Sequence, residues 1–283
     1  MAERVAAIPA MQPREWLLAG ILMAVFAPAL VALAQVWASV DYQSHGFLVP
    51  VVALWAFYRE SPRRASLEAA TDRRGLGVLG LALATYLLGL ATGLLALQGV
   101  ALVAAVAGLV LYSRGVRWLR ALAFPVGFLI FMVPPPSSWI TPAVVRLQLF
   151  VSSASIALLE AFSVQVTREG NVLSLPGGES LFVAEACSGV TSIITLAPLA
   201  VLLAHFTLKR WGSKLVLFAA VAPLAMVGNL VRVVATVLAG VEMGTEHVTE
   251  GPLHEAAGLL TYVVACGLML ALGALLQRLE RRG

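Results

Sequence analysis

The stretch VAEACSGVTS, residues 183–192, places Glu185, Cys187, Ser188 and Gly189 immediately ahead of a long apolar run. A cysteine at a helix start is suited to nucleophilic chemistry, because unpaired N–H groups and the helix dipole favour thiolate over thiol. Two further residues match it in expected depth. Arg232 follows Lys214 by 18 positions, about 27 Å of helix, with Asn229 one turn below on the same face. His254 opens the last apolar run. An imidazole can take the thiol proton and later give a proton to a leaving amine. A guanidinium is costly at membrane depth, yet well suited to hold a developing oxyanion or a substrate carbonyl. Glu185 can orient the arginine or the histidine, and Gly189 permits close backbone approach. Each residue also has a plain reading: a small buried hydrophobe for Cys187, a snorkelling side chain for Arg232, an interfacial imidazole for His254. Cys266 lies 12 residues, about 18 Å, from His254 and is read as structural. His205 is read as structural, and His247, among Glu242, Glu246 and Glu250, as a solvated loop residue. Neither a metal nor a cofactor is expected.

Composition decides what must position these groups. The 283 residues are 60% hydrophobic and 12% charged, with mean hydropathy +0.91. A soluble domain carries about 25% charged residues, so the chain reads as an all-α polytopic membrane protein forming a single integral membrane domain over 1–283. The net charge of +4 is scattered among loops, which gives no nucleic-acid surface. Two cysteines 79 residues apart form neither a zinc pattern nor a disulfide framework.

Apolar runs near 16–38, 44–58, 75–95, 97–112, 121–133, 187–206, 215–240 and 254–277 suggest eight transmembrane helices. The first is read as a retained span, being longer than a usual signal-peptide core. With both termini cytoplasmic, sixteen of the 19 Lys and Arg residues fall inside, and only Arg146, Arg168 and Arg232 lie on the outer half. Residues 143–163 are apolar enough for a ninth span, but a crossing there would export the basic loop at 209–214. Segment 134–186 is therefore read as one outer excursion. It opens at Pro134-Pro135-Pro136 and continues as an interfacial or re-entrant helix with Arg146, Gln148, Ser152, Ser153 and Glu160 as its polar positions. A small β-hairpin follows, turning at Gly170-Asn171 and Pro176-Gly177-Gly178. No internal repeat is visible, which weighs mildly against a transporter.

The motifs EACSGVTS, NLVR (229–232) and EGPLHEAAG (250–258) together resemble the three signatures of the exosortase/archaeosortase family. SHGFLVP (44–50), REGNVLSLPGG (168–178) and the proline run after FLIFMV are similar to that family as well, so the resemblance spans roughly residues 40–265. Thr191 departs from it, standing where many relatives have a basic or amide residue. The resemblance implies a polytopic, cysteine-dependent transpeptidase-like sorting enzyme of the inner (plasma) membrane, with its site facing the periplasm or outside. Its implied partners are membrane lipid and exported proteins with a C-terminal signal: a short motif such as Pro-Glu-Pro, a transmembrane helix and a basic tail. By motif, Cys187 is the implied nucleophile, with Arg232 and His254 completing the site. Glu185, Asn229, Ser188 and Gly189 support it, and His45 and Arg168 are candidates for substrate binding. The competing readings are a non-enzymatic transporter or assembly factor for envelope polysaccharide, in which Cys187 is replaceable, and a membrane acyl- or glycosyl-transferase relying on His254.

Overall fold

Backbone groups in hydrocarbon must find their partners within the chain, and long Leu/Ala/Val runs do so as helices. The first is α1, Pro13–Ser39. Pro13 sits at its first position, where a missing N–H costs nothing, and Glu15 accepts the Gln12 N–H at 2.8 Å. The computed structural model describes residues 12–60, 67–161, 164, 166–170, 172–174, 180–182, 190–244 and 252–282. The chain divides into two units, Met1–Pro136 and Ser137–Gly283, and the division falls on the proline run.

In the first unit, α1 is followed by a 3-10 turn, Asp41–Phe47, and α2, Leu48–Arg59. Helices α3, Arg74–Thr92, and α4, Leu95–Arg114, form a hairpin. Gly93 reverses the chain at φ +68°, a conformation that favours glycine. At the other end, a Cβ on Gly75 would stand 2.4 Å from the Tyr112 main chain, so glycine there lets the helices close. Helices α5, Val116–Ala121, and α6, Ala123–Phe128, are short, and a 3-10 turn at Leu129–Met132 follows. Phe26 of α1 meets Tyr86 of α3 with ring centroids 4.4 Å apart. Glu15 binds Arg114 through two 2.7 Å hydrogen bonds, and the Arg114 guanidinium lies 4.8 Å over the Trp118 ring.

In the second unit, α7 runs Ser137–Ala161. Strands β1 (Thr167–Glu169), β2 (Val172–Ser174) and β3 (Ser180–Phe182) pair antiparallel in that order. Helices α8, Val190–Thr207, α9, Trp211–Ala219, α10, Val221–Met243, and α11, Pro252–Arg282, complete the unit. One buried core joins Val151 and Leu159 of α7 with Val166 and with Val233 and Val237 of α10. Another joins Leu196, Ala200 and Ala204 of α8 with Leu217, Ala225, Ala265 and Met269.

The outward surface is apolar: Leu81 is 70% exposed and Leu259 66%. Only lipid covers such a surface without penalty, and the chain is an all-α polytopic membrane protein apart from the small sheet. Among the described residues, six helical segments are long and apolar enough to cross: 13–39, 74–92, 95–114, 137–161, 211–241 and 258–282; 123–132 and 191–207 are shorter. The 121–133 run is built in pieces, the end of α5, α6 and a 3-10 turn, which together lead from Trp118, beside Arg114 near the start of α1, to Met132, bonded to Trp37 near its end. Residues 143–161 of the segment expected to lie at the interface belong to a 25-residue helix long enough to cross. The expected hairpin is present as β1–β2 around Gly170, φ +66°, with a third strand added.

Candidate active site

Helices α8, α10 and α11 pack against one another. The residues read as nucleophile, guanidinium and imidazole belong to these elements or to the sequence directly before them. Small residues bring α10 and α11 together: a Cβ on Gly228 would lie 3.2 Å from the Thr261 carbonyl oxygen. Asn229 beside it is 1% exposed. One turn on, Arg232 lays its guanidinium over Gly258, where a Cβ would lie 3.5 Å from Nη2 and 3.6 Å from Cζ. Gly258 follows His254 by four residues on the continuous helix α11. Positions four apart share a helix face. Arg232 therefore reaches the turn next to the one that carries His254, on the stripe formed by 254, 258, 261 and 265.

The opposite end of these helices is basic and separately fastened. Glu280 near the end of α11 accepts the N–H of Lys209 at 2.8 Å and of Arg210 at 2.9 Å, just before α9. Gln277 donates to the Thr207 carbonyl at 3.3 Å. Arg232 lies 21 positions beyond Trp211, about 31 Å of helix, close to the thickness of a bilayer core. Arg232 and the start of α11 thus stand at one end of the unit, with Lys209, Arg210, Arg281 and Arg282 at the other. Between them Tyr262 hydrogen-bonds with Thr195 of α8 and with Cys266 one turn along α11. The Cys266 thiol is half-buried and in no disulfide. Neither the Gly258 seat nor the Thr195–Tyr262 tie was read from the sequence. The glycine spacing after His254 was visible, but its meaning depends on which helix packs there.

Helix α7 sorts its polar residues by face. Gln148, Ser152 and Ser155 are buried, while Arg146, Ser153 and Glu160 are exposed. Ser153 Oγ donates to the Leu149 carbonyl at 2.8 Å. The Ser152 and Ser155 hydroxyls have no hydrogen-bond partner among the described residues. Arg168 occupies the middle of β1, in register with Leu173. His45 lies in the first unit, in the 3-10 turn before α2. Its Nδ1 is 3.1 Å from the Tyr42 carbonyl oxygen and its Nε2 3.1 Å from that of Phe131. Trp37 Nε1 donates to the neighbouring Met132 carbonyl at 2.9 Å, so the two rings clasp the turn that precedes the prolines. Glu185, Cys187, Ser188 and Gly189 lie outside the described residues, as does His247; α8 is described from Val190, three positions after Cys187.

The family model described as transmembrane exosortase matches residues 37–271. No curated protein and no solved structure matches the chain. The match covers most of the sequence and includes α8, α10, the helix turn at His254 and the clasp at His45. The chain is a multi-pass membrane protein that belongs to the transmembrane exosortase family, a family of membrane protein-sorting enzymes.

Proposed function

We propose that the protein is a cysteine peptidase/transpeptidase that cuts a C-terminal sorting signal from exported proteins, using Cys187, Arg232 and His254. The observation that carries this reading is the contact between the Arg232 guanidinium and Gly258, one turn from His254, within a packed trio of helices of which the third follows Cys187. The loops rich in Lys and Arg face the cytoplasm by the charge rule, so the Arg232 end faces outward across the inner (plasma) membrane. A substrate with a terminal span and a basic cytoplasmic tail presents its signal motif at that same outer level.

The chemistry balances with these groups alone. His254 takes the Cys187 proton. The thiolate attacks the peptide carbonyl carbon, forming a C–S bond and an oxyanion that Arg232 holds. Collapse breaks the C–N bond, and the imidazolium returns its proton to the departing amine. An outer amine or water then attacks the thioester carbonyl and restores the thiol. Processing of a reporter bearing such a signal tests this in cells. Cys187→Ala abolishes cleavage, whereas Cys266→Ala leaves it near wild type. Equal loss in both variants, or none in Cys187→Ala, contradicts the assignment and favours a non-enzymatic role.

A further inference from the structure

At the Arg-rich end of the first unit a cleft of about 430 Å³ opens between the segment 67–73 and the end of α4. Its charged and polar lining is Glu68, Thr71, Asp72, Arg73, Arg114 and Arg117. The walls are fixed. Ala70 N–H donates to the Arg114 carbonyl and Asp72 N–H to that of Tyr112, each at 3.2 Å. Arg14 of α1 reaches the Thr71 hydroxyl at 3.4 Å. Gly115, at φ +88°, brings its Cα so near Ala70 that a Cβ would meet that carbonyl at 2.6 Å. Arg114 itself is held by Glu15 and Trp118. The lining therefore joins Arg114, fixed in its ion pair, with exposed Arg73 and Arg117 and with two carboxylates, exposed Glu68 and half-buried Asp72.

The cleft also has a definite depth. It sits where the candidate spans 74–92 and 95–114 begin and end. Trp16, 64% exposed, marks the same level in the first turn of α1, where indole rings prefer the headgroup layer. A cleft at headgroup depth meets phospholipid before anything else. Its lining selects among headgroups by charge. A purely anionic headgroup satisfies the guanidinium groups and is opposed by the two carboxylates. A headgroup with a phosphate and a primary ammonium answers both, the phosphate on Arg73 and Arg117 and the ammonium on Glu68 and Asp72.

We infer that this cleft is a binding site for a phosphoethanolamine group, supplied by a phospholipid of the adjoining leaflet. The inference stands independently of the peptidase reading, since no residue of the Cys187, Arg232 and His254 set takes part.

The test is lipid retention by the full-length protein after reconstitution in nanodiscs of phosphatidylcholine doped with phosphatidylethanolamine or phosphatidylglycerol, read by native mass spectrometry. Phosphatidylethanolamine is expected to be retained over both others. Arg73→Gln/Arg117→Gln weakens phosphatidylethanolamine and phosphatidylglycerol alike, by about fivefold per guanidinium removed. Glu68→Gln/Asp72→Asn removes the preference for phosphatidylethanolamine and leaves phosphatidylglycerol unaffected or stronger. Asn at position 72 can still accept the Arg74 N–H that Asp72 accepts at 2.9 Å, so the turn survives. Displacement by millimolar soluble phosphoethanolamine assigns the same chemistry to a soluble source, and resistance to it assigns the lipid. Equal retention of all three lipids, or unchanged phosphatidylethanolamine retention in both double variants with unchanged thermal midpoints, overturns the proposal.

Discussion

A guanidinium within an apolar helix persists only where its surroundings hold it. Arg232 has such a seat at Gly258, and the seat has a size limit. A Cβ there would make ordinary contact at 3.5–3.7 Å from the guanidinium, whereas a branched side chain would fill its place. Gly258→Ala is therefore expected to retain processing within a few-fold. Gly258→Leu is expected to lose about 10²–10³-fold, the scale of removing one oxyanion donor, with the protein still folded. Assays of reporter cleavage beside thermal melts separate the two, and equal loss in both variants contradicts the seat. His45 poses a different question. Its two ring nitrogens both face carbonyls, which suits a structural clasp more than a free substrate contact. His45→Ala leaves those carbonyls without the ring and is expected to cost about 1–3 kcal/mol of stability, seen as a lower thermal midpoint. A raised KM at unchanged stability would instead return His45 to substrate binding. Arg232 was legible in the sequence because a charge in an apolar run asks for a reason. Gly258 and the Phe131 partner of His45 were not, since neither follows from spacing along one helix.

Helix α7 was the element hardest to read. Its composition allowed a span, but the charge rule permits only one crossing between Arg120 and the stretch before Cys187, and the 121–133 run was expected to supply it. The contacts of that run support the expectation: Trp118 meets Arg114 at the basic end of the unit, and Met132 and Phe131 meet Trp37 and His45 at the other. Helix α7, 25 residues long, has the length to cross, and a crossing there would carry the stretch before Cys187 to the basic side. The buried positions 144, 148, 151, 155 and 159 follow a helical period, with Ser155 between the core residues Val151 and Leu159. A buried hydroxyl on the helix face that packs on α10 was legible only once that face was known. Single cysteines at the exposed positions Ser137 and Glu160, in a background lacking Cys187 and Cys266, test the outer placement of this segment. With a membrane-impermeant maleimide on intact cells, both are expected to label at once. Labelling of Ser137→Cys at once and of Glu160→Cys only after permeabilisation would make α7 a crossing and contradict the outward side expected for Cys187. The sheet was legible through its turn residues rather than its strands, which are three residues each: Gly170 announced the β1–β2 turn, and Pro176-Gly177-Gly178 stand in sequence between β2 and β3.

Across the whole molecule the sequence spoke most clearly through charge. The basic clusters at 59–74, 114–120, 209–214 and 278–282 bracket the apolar runs, and they gave the class of protein and its expected orientation. What charge could not give is which helices touch. The mutual packing of α8, α10 and α11 depends on Gly228, Ala225, Ala265 and their neighbours, small residues common throughout an apolar chain. The central claim joins both levels: an outward-facing thiol activated by groups from two other helices. The most direct test is the rate at which a membrane-impermeant reagent alkylates Cys187 on intact cells as pH is varied, in a Cys266→Ala background. Expected is labelling from outside, with a titration well below the free-thiol value of about 8.5, moved upward by His254→Ala and by Arg232→Ala. Labelling only after permeabilisation contradicts the orientation, and an ordinary thiol titration indifferent to both replacements contradicts the joined site.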